Sequence, residues 1–180
     1  NNGDGTFTNV AATVGTSFDS IGWGAVFLDA DNDKDVDLYV SSSLDAGSAT
    51  LTAAFYENNG MHTYSIPTDA GFDNDSRISF ANAIGDFNND GFPDISVMND
   101  TDNFFLWENT SSNSNSWLKV KLQGVQSNKD GIGSKIEISI AGEKQYRYTL
   151  SGEGYLAQNS NTEFFGLGNA TTVDYIKINW

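Results

Sequence analysis

Two nine-residue stretches concentrate the chemistry of this chain: Asp29-Ala-Asp31-Asn-Asp33-Lys-Asp35-Val-Asp37 and Asp86-Phe-Asn88-Asn-Asp90-Gly-Phe92-Pro-Asp94. Oxygen-bearing side chains fall at positions 1, 3, 5 and 9 of each. Carboxylates held this close repel one another unless something neutralises them. A hard divalent cation, which takes about six to eight oxygen ligands, does so. Positions 1, 3 and 5 converge when such a loop wraps an ion, position 7 offers its backbone carbonyl, and position 9 supplies a carboxylate from the start of the next strand. The candidate ligands are therefore Asp29, Asp31, Asp33, Asp35 and Asp37 in the first loop, and Asp86, Asn88, Asp90, Phe92 and Asp94 in the second. Ca²⁺ suits this set better than Mg²⁺, which keeps its waters and demands a tight octahedron. Two ions are expected. The competing reading is an acidic β-turn with solvated aspartates; recurrence of the loop at matching places in two repeats favours the ion.

The loops are not EF-hands, because position 12 is Val40 or Val97 where that motif needs a bidentate Glu. They also differ from each other. Lys34 stands where the second loop has Gly91, a position that usually needs positive φ. Strain and the extra positive charge make the first site the weaker one, unless Asp35 compensates.

The elements that position these loops form a repeat. Asn2-Gly-Asp-Gly-Thr-Phe7 returns as Asn59-Gly-Met-His-Thr-Tyr64, Asp29-x-Asp31-x-Asp33 as Asp86-x-Asn88-x-Asp90, and Asp37-Leu-x-Val40 as Asp94-Ile-x-Val97, each 57 residues on. Phe55-Tyr-Glu-Asn58 returns as Leu106-Trp-Glu-Asn109, 51 residues on. Each repeat reads as four short strands, in the first roughly Ala25–Leu28, Asp37–Val40, Ala53–Glu57 and Thr63–Ile66. β-branched and aromatic residues dominate them, and Gly, Asn and Asp separate them. Four strands per repeat is a propeller-blade pattern. Propellers close with about four to eight blades, so two cannot close alone. The chain is expected to be part of a longer protein, or to pair its open edges between copies.

Charge divides the chain in the same place as this pattern. Residues 1–109 carry 18 acids and two bases, residues 110–180 six acids and seven bases, which together give the net −15. The break falls in a run without apolar residues, Asn109 to Ser116, read as a linker. The domains are expected at 1–112 and 113–180. The acidity argues against a nucleic-acid partner, which requires a basic face, and against an anionic membrane surface. No apolar run approaches the roughly 18 residues of a membrane span. Absence of cysteine excludes disulfides and thiolate sites.

From Trp117 on, strict alternation over Trp117–Leu122, alternation over Ser134–Ile140 with Ile136, Ile138 and Ile140 on one face, and further strands at Tyr146–Leu150 and Val173–Trp180 predict a small antiparallel β-sandwich. Gly131, Gly133, Gly152, Gly154, Gly166 and Gly168 are read as punctuating these strands, with Gly152 and Gly154 in tight turns. The expected fold class is all-β: two four-stranded propeller-type blades and a small antiparallel sandwich.

Gly85-Asp-Phe-Asn-Asn-Asp-Gly-Phe-Pro-Asp94 and the Asn-Gly-Asp-Gly-x-Phe run resemble FG-GAP/VCBS repeats, found in integrin α-chain propellers and many secreted bacterial proteins. The resemblance implies Ca²⁺-stabilised blades over residues 1–109 and an extracellular setting. Trp117-Leu-x-Val-x-Leu-x-Gly124, Gln145-x-Arg147, Ser151-Gly-x-Gly-Tyr-Leu-x-Gln158, Phe165-Gly-Leu-Gly168 and Val173-Asp-x-Ile-x-Ile-x-Trp180 resemble the ASPIC/UnbV domain, which typically follows such propellers, as in the cartilage acidic protein family.

Catalysis finds little support. His62, the single histidine, sits in a turn where the first repeat has Gly5, and no Ser-His-Asp set can be assembled around it. Trp23 and Trp107 are expected in inter-blade packing rather than on a sugar platform. Asn74, Asn99, Asn109 and Asn169 head N-x-Ser/Thr sequons, of which Asn109 is expected to be the most accessible. The expected function is a secreted, Ca²⁺-stabilised, non-enzymatic adhesion or recognition module binding protein or glycan. The alternatives are a subunit of an extracellular filament or matrix, pairing with itself, and an accessory region of a secreted carbohydrate-active enzyme.

Overall fold

A computed structural model describes residues 1–43, 53–72, 75 and 77–180. Among them the chain is all-β apart from one helical turn, α1 (Ala11–Val14). The first sheet is an antiparallel meander in chain order, β1 (Ile21–Leu28), β2 (Asp37–Ser43), β3 (Ala53–Asn58) and β4 (Tyr64–Ser65). Period-two alternation in β1 turns Gly24, Val26 and Leu28 inward. The second sheet repeats the arrangement with β5 (Ser79–Gly85), β6 (Asp94–Asn99) and β7 (Phe105–Trp107).

The repeat extends to details. The β1–β2 pairing shifts register between Gly22 and Gly24, and the β5–β6 pairing between Ser79 and Ala81, 57 residues on. The Asn2 N–H donates to the Thr6 carbonyl at 2.9 Å, and the Asn59 N–H to that of Thr63 at 2.8 Å. His62 has φ 57° where Gly5 has 87°, so the histidine occupies a tight, exposed turn.

One expectation is corrected here: among the described residues the second sheet has three strands, not four. Residues 108–116 contain no apolar side chain to bury, and the next strand leaves for a different sheet. The two meanders pack face to face over Val26, Leu28, Tyr39, Ile95 and Val97. Burying each such side chain stabilises by about 1.5–3 kcal/mol. Phe72 stacks between Tyr39 and Trp107, with centroids at 5.2 and 5.0 Å. Trp23 lies against Phe80 and Tyr155. Trp107 thus packs against the core as expected, whereas Trp23 packs on those rings and stays 40 % exposed.

The C-terminal region has five strands: β8 (Ser116–Lys121), β9 (Lys135–Ile140), β10 (Glu143–Tyr148), β11 (Thr162–Gly168) and β12 (Tyr175–Asn179). β10-β9-β12 form one antiparallel sheet and β11-β8 another. Ile136, Ile138 and Ile140 of the first meet Phe165 and Leu167 of the second, with Leu118 and Val120 at the margin, which makes a small sandwich. Gln145 Nε2 donates to the Gly166 carbonyl at 2.8 Å and Arg147 Nε to that of Phe164 at 3.0 Å. These side chains of β10 tie the two sheets together.

β11 corrects a second expectation, since Gly166 and Gly168 lie within a strand and do not separate strands. A Cβ at Gly166 would overlap the Asp29 carboxylate and lie 2.7 Å from Asn32 Cα. Glycine is there because β11 runs against the first acidic loop. The run read as a linker is also pinned to that loop. Asn113 and Asn115 each donate from Nδ2 to the Asp31 carbonyl, at 2.7 and 3.0 Å.

Candidate metal centre

Each acidic loop joins the first two strands of its sheet, and both are wound by the same hydrogen bonds. In the first, Asp29 Oδ1 accepts from the Asp33 N–H at 3.0 Å and Oδ2 from the Lys34 N–H at 3.0 Å. In the second, Asp86 Oδ1 accepts from Asp90 at 3.1 Å and Oδ2 from Gly91 at 2.8 Å. Asp31 and Asn88 accept from the same Asp33 and Asp90 N–H groups, both at 3.1 Å. Such Asx turns need positive φ nearby: Asn32 and Lys34 have φ 62° and 90°, Asn89 and Gly91 65° and 95°. Lys34 therefore does adopt the conformation that suits glycine.

Position 9 fastens each loop to its sheet. Asp37 accepts from the Ala30 N–H at 2.9 Å and the Asn58 N–H at 2.8 Å. Asp94 accepts from Phe87 at 2.9 Å and Asn109 at 2.8 Å. The Asn58/Asn109 pair follows the 51-residue offset. Asp35 and Phe92, at position 7, donate their N–H groups to Asp33 and Asp90.

The first loop brings one oxygen each from Asp29, Asp31 and Asp33 within 4.8 Å of one another. Opposite oxygens around an ion coordinated at 2.3–2.6 Å stand about 5 Å apart, so these three oxygens could share one divalent cation. Asp35 and Asp37 stand outside this group of three. Asp29 and Asp37 are buried, and burial, together with the neighbouring aspartates, pushes both carboxyls up to about 7. Burial, Asp33 and Glu57 raise Asp31. A divalent cation would reverse this accumulation by stabilising the ionised forms.

The second loop is balanced differently. Asp94 is raised by burial and by Asp86 and Asp90. Burial also acts on Asp86, but the Lys119 ammonium and the Gly91 N–H hold its carboxyl below the usual range. Lys119 Nζ lies 2.8 Å from Asp86 Oδ2 and 2.5 Å from Asn89 Oδ1. The indole of Trp117 occupies the space a Cβ at Gly91 would need.

The loops touch each other and the C-terminal region. Asn32 Nδ2 donates to the Gly91 carbonyl at 3.3 Å, and the Gly168 N–H to the Asn32 carbonyl at 2.9 Å. Lys34 Nζ is drawn off to Glu143, 2.5 Å away on β10. None of Asn32, Asn113, Asn115, Lys119 or Gly166 stands out in the sequence as part of the site. Only the matched spacing of Asn32 and Asn89, beside the ligands, offered a signal.

The sequons also need correction. Asn109 is half-buried, and its Nδ2 donates to the Ala30 and Pro93 carbonyls at 2.7 and 3.1 Å. Asn99 is buried, Asn74 lies outside the described residues, and Asn169 is exposed.

No curated protein matches the chain. Residues 124–180, which contain β9 to β12, match the family described as ASPIC and UnbV, whereas β8 lies before the match. The C-terminal sandwich is thus similar to an ASPIC/UnbV domain over four of its five strands.

Proposed function

We propose that the chain is a calcium-stabilised, non-enzymatic recognition module of an extracellular protein, which presents its ASPIC/UnbV domain and blade-like sheets to a protein or glycan partner. The observation that carries the reading is the convergence of Asp29, Asp31 and Asp33 within 4.8 Å, in a loop that also bonds the C-terminal region. Like charges held together in a partly buried loop favour binding of a cation. The FG-GAP/VCBS resemblance of the two repeats supports an extracellular calcium site. Exposed Tyr146 and Tyr148 on β10, with Lys135 Nζ 4.1 and 5.9 Å from their ring centroids, offer the aromatic and charged contacts a partner surface uses.

The test is the melting temperature in Ca²⁺ and in chelator. A cation that binds only the folded state at 100 times its Kd stabilises by about 2.7 kcal/mol. Melting is expected to rise in Ca²⁺ for the native chain and to stay unchanged for Asp31→Asn. An unchanged native melting temperature would sink the reading. Homotypic assembly is the second reading. Among the described residues β12 pairs with β9 alone and is exposed along its length, with Ile176 and Ile178 uncovered, and such an edge is a template for pairing. A monodisperse monomer in light scattering would count against it.

A further inference from the structure

We propose that Lys119 is the built-in counter-cation of the second acidic loop, and that it excludes a divalent ion there, so that the chain takes one such ion, in the first loop. The inference rests on the metal reading above, changes its stoichiometry and reverses the expected order of the two sites, since Lys34 pairs with Glu143 outside its loop.

Lys119 comes from β8, in the C-terminal half, and crosses to the second loop. Its Nζ lies 2.8 Å from Asp86 Oδ2 and 2.5 Å from Asn89 Oδ1, and its side chain is 19 % exposed against 2 % for that of Asp86. The ammonium also lies 4.9 Å from the centroid of Trp117, whose indole packs on Gly91. The ion pair is thus held from three sides.

The interior of the loop is satisfied as well. Asn88 directs its Oδ1 to the Asp90 N–H, which leaves its Nδ2 to donate to Asp90 Oδ2 at 2.8 Å and to Glu108 Oε1 at 3.2 Å. Asp90 Oδ1 meanwhile accepts from the Phe92 N–H at 2.9 Å. Both oxygens of Asp90 therefore have donors.

In the first loop, among the described residues, no side-chain cation bonds the first aspartate as Lys119 does; the Arg147 guanidinium acts on Asp29 through space and bonds the Phe164 carbonyl instead. At the place corresponding to Lys119, Asp29 meets the backbone of Gly166. Its own lysine, Lys34, is paired with Glu143 outside the loop. Position 3 is Asp31, a carboxylate with no N–H to donate. The first loop holds five aspartates and the second three. A unit charge about 6 Å from a divalent ion, one carboxylate away, opposes binding about tenfold even at the dielectric of water.

The experiment is calorimetric titration of the full chain with CaCl₂. The native chain is expected to bind one equivalent, lost in Asp31→Asn and kept in Asp90→Asn. Lys119→Met is expected to bind a second equivalent at least about tenfold tighter than any second binding in the native chain, and Asp90→Asn in that background should remove it. Lys119→Gln is the companion variant should Met disturb β8.

A second native equivalent that Asp90→Asn abolishes would overturn the inference. So would a stoichiometry that stays at one in both Lys119 variants. A native chain that binds nothing, while Lys119→Met binds one equivalent sensitive to Asp90→Asn, would overturn the metal reading of the first loop and leave the role of Lys119 standing.

Discussion

Gly166→Ala is the sharpest probe of how the C-terminal region seats on the first loop. The added Cβ would overlap the Asp29 carboxylate and lie 2.7 Å from backbone carbon of Asn32. Asn32 is 1 % exposed and cannot yield toward solvent. Forcing a methyl into such packing costs about 1–3 kcal/mol. Displacing β11 also breaks the Gly168 N–H to Asn32 carbonyl bond of 2.9 Å, for a further 0.5–1.5 kcal/mol or so. The expected loss is about 2–4 kcal/mol. At about 2–4 °C per kcal/mol for a chain of this size, the melting temperature falls by about 5–15 °C. The assay is urea unfolding followed by tryptophan fluorescence. Gly142→Ala is the control, since Gly142 has φ 85° and open space around its Cβ position. It pays only the backbone strain of about 1–2 kcal/mol, offset in part by the reduced entropy of the unfolded chain. If Gly166→Ala loses no more than Gly142→Ala, β11 does not rest on the loop and the coupling of the two regions is wrong.

Three further outcomes are expected. Asp94→Ala leaves the Phe87 and Asn109 N–H groups without their buried acceptor, so chemical denaturation should show a loss of about 2–4 kcal/mol. Glu163 is pushed up to about 7 by burial and by Glu153, against the pull of Arg147. The folded chain holds this proton more tightly than the unfolded one, so stability falls as pH rises from about 4.5 to about 7. The stabilisation from Glu163→Gln should grow over that window and level off above it, and a pH-independent difference in melting temperature would refute the assignment. Expressed through a glycosylating export pathway, the chain should carry sugar at Asn169 and none at Asn99 or Asn109, which mass spectrometry of the glycopeptides decides.

Much of the architecture was legible because local rules govern it. The 57-residue offset located both acidic loops and the strands that flank them, since alternation and turn chemistry act over a few residues. The same locality explains the failures. The second sheet lacks a fourth strand because pairing partners are chosen over long range, and Ser116–Lys121 pairs with β11. Asn109 looks like a free linker residue in sequence, yet its amide meets two carbonyls far from it in the chain. Gly166 reads as punctuation between strands, and its actual reason is the Asp29 carboxylate, 137 residues earlier.

The chain by itself determined the all-β class, the two acidic loops, the positive-φ position shared by Lys34 and Gly91, and the outline of the C-terminal domain. Each of these depends on residue type and short spacing. Only the tertiary structure decided how the loops differ. In sequence, Lys34 is the cation nearest to an acidic loop and Lys119 belongs to an unrelated strand. In the fold, Lys34 pairs with Glu143 while Lys119 enters the second loop. Electrostatic interaction depends on distance through space, and the packing of β8 and β11 against the two loops sets that distance.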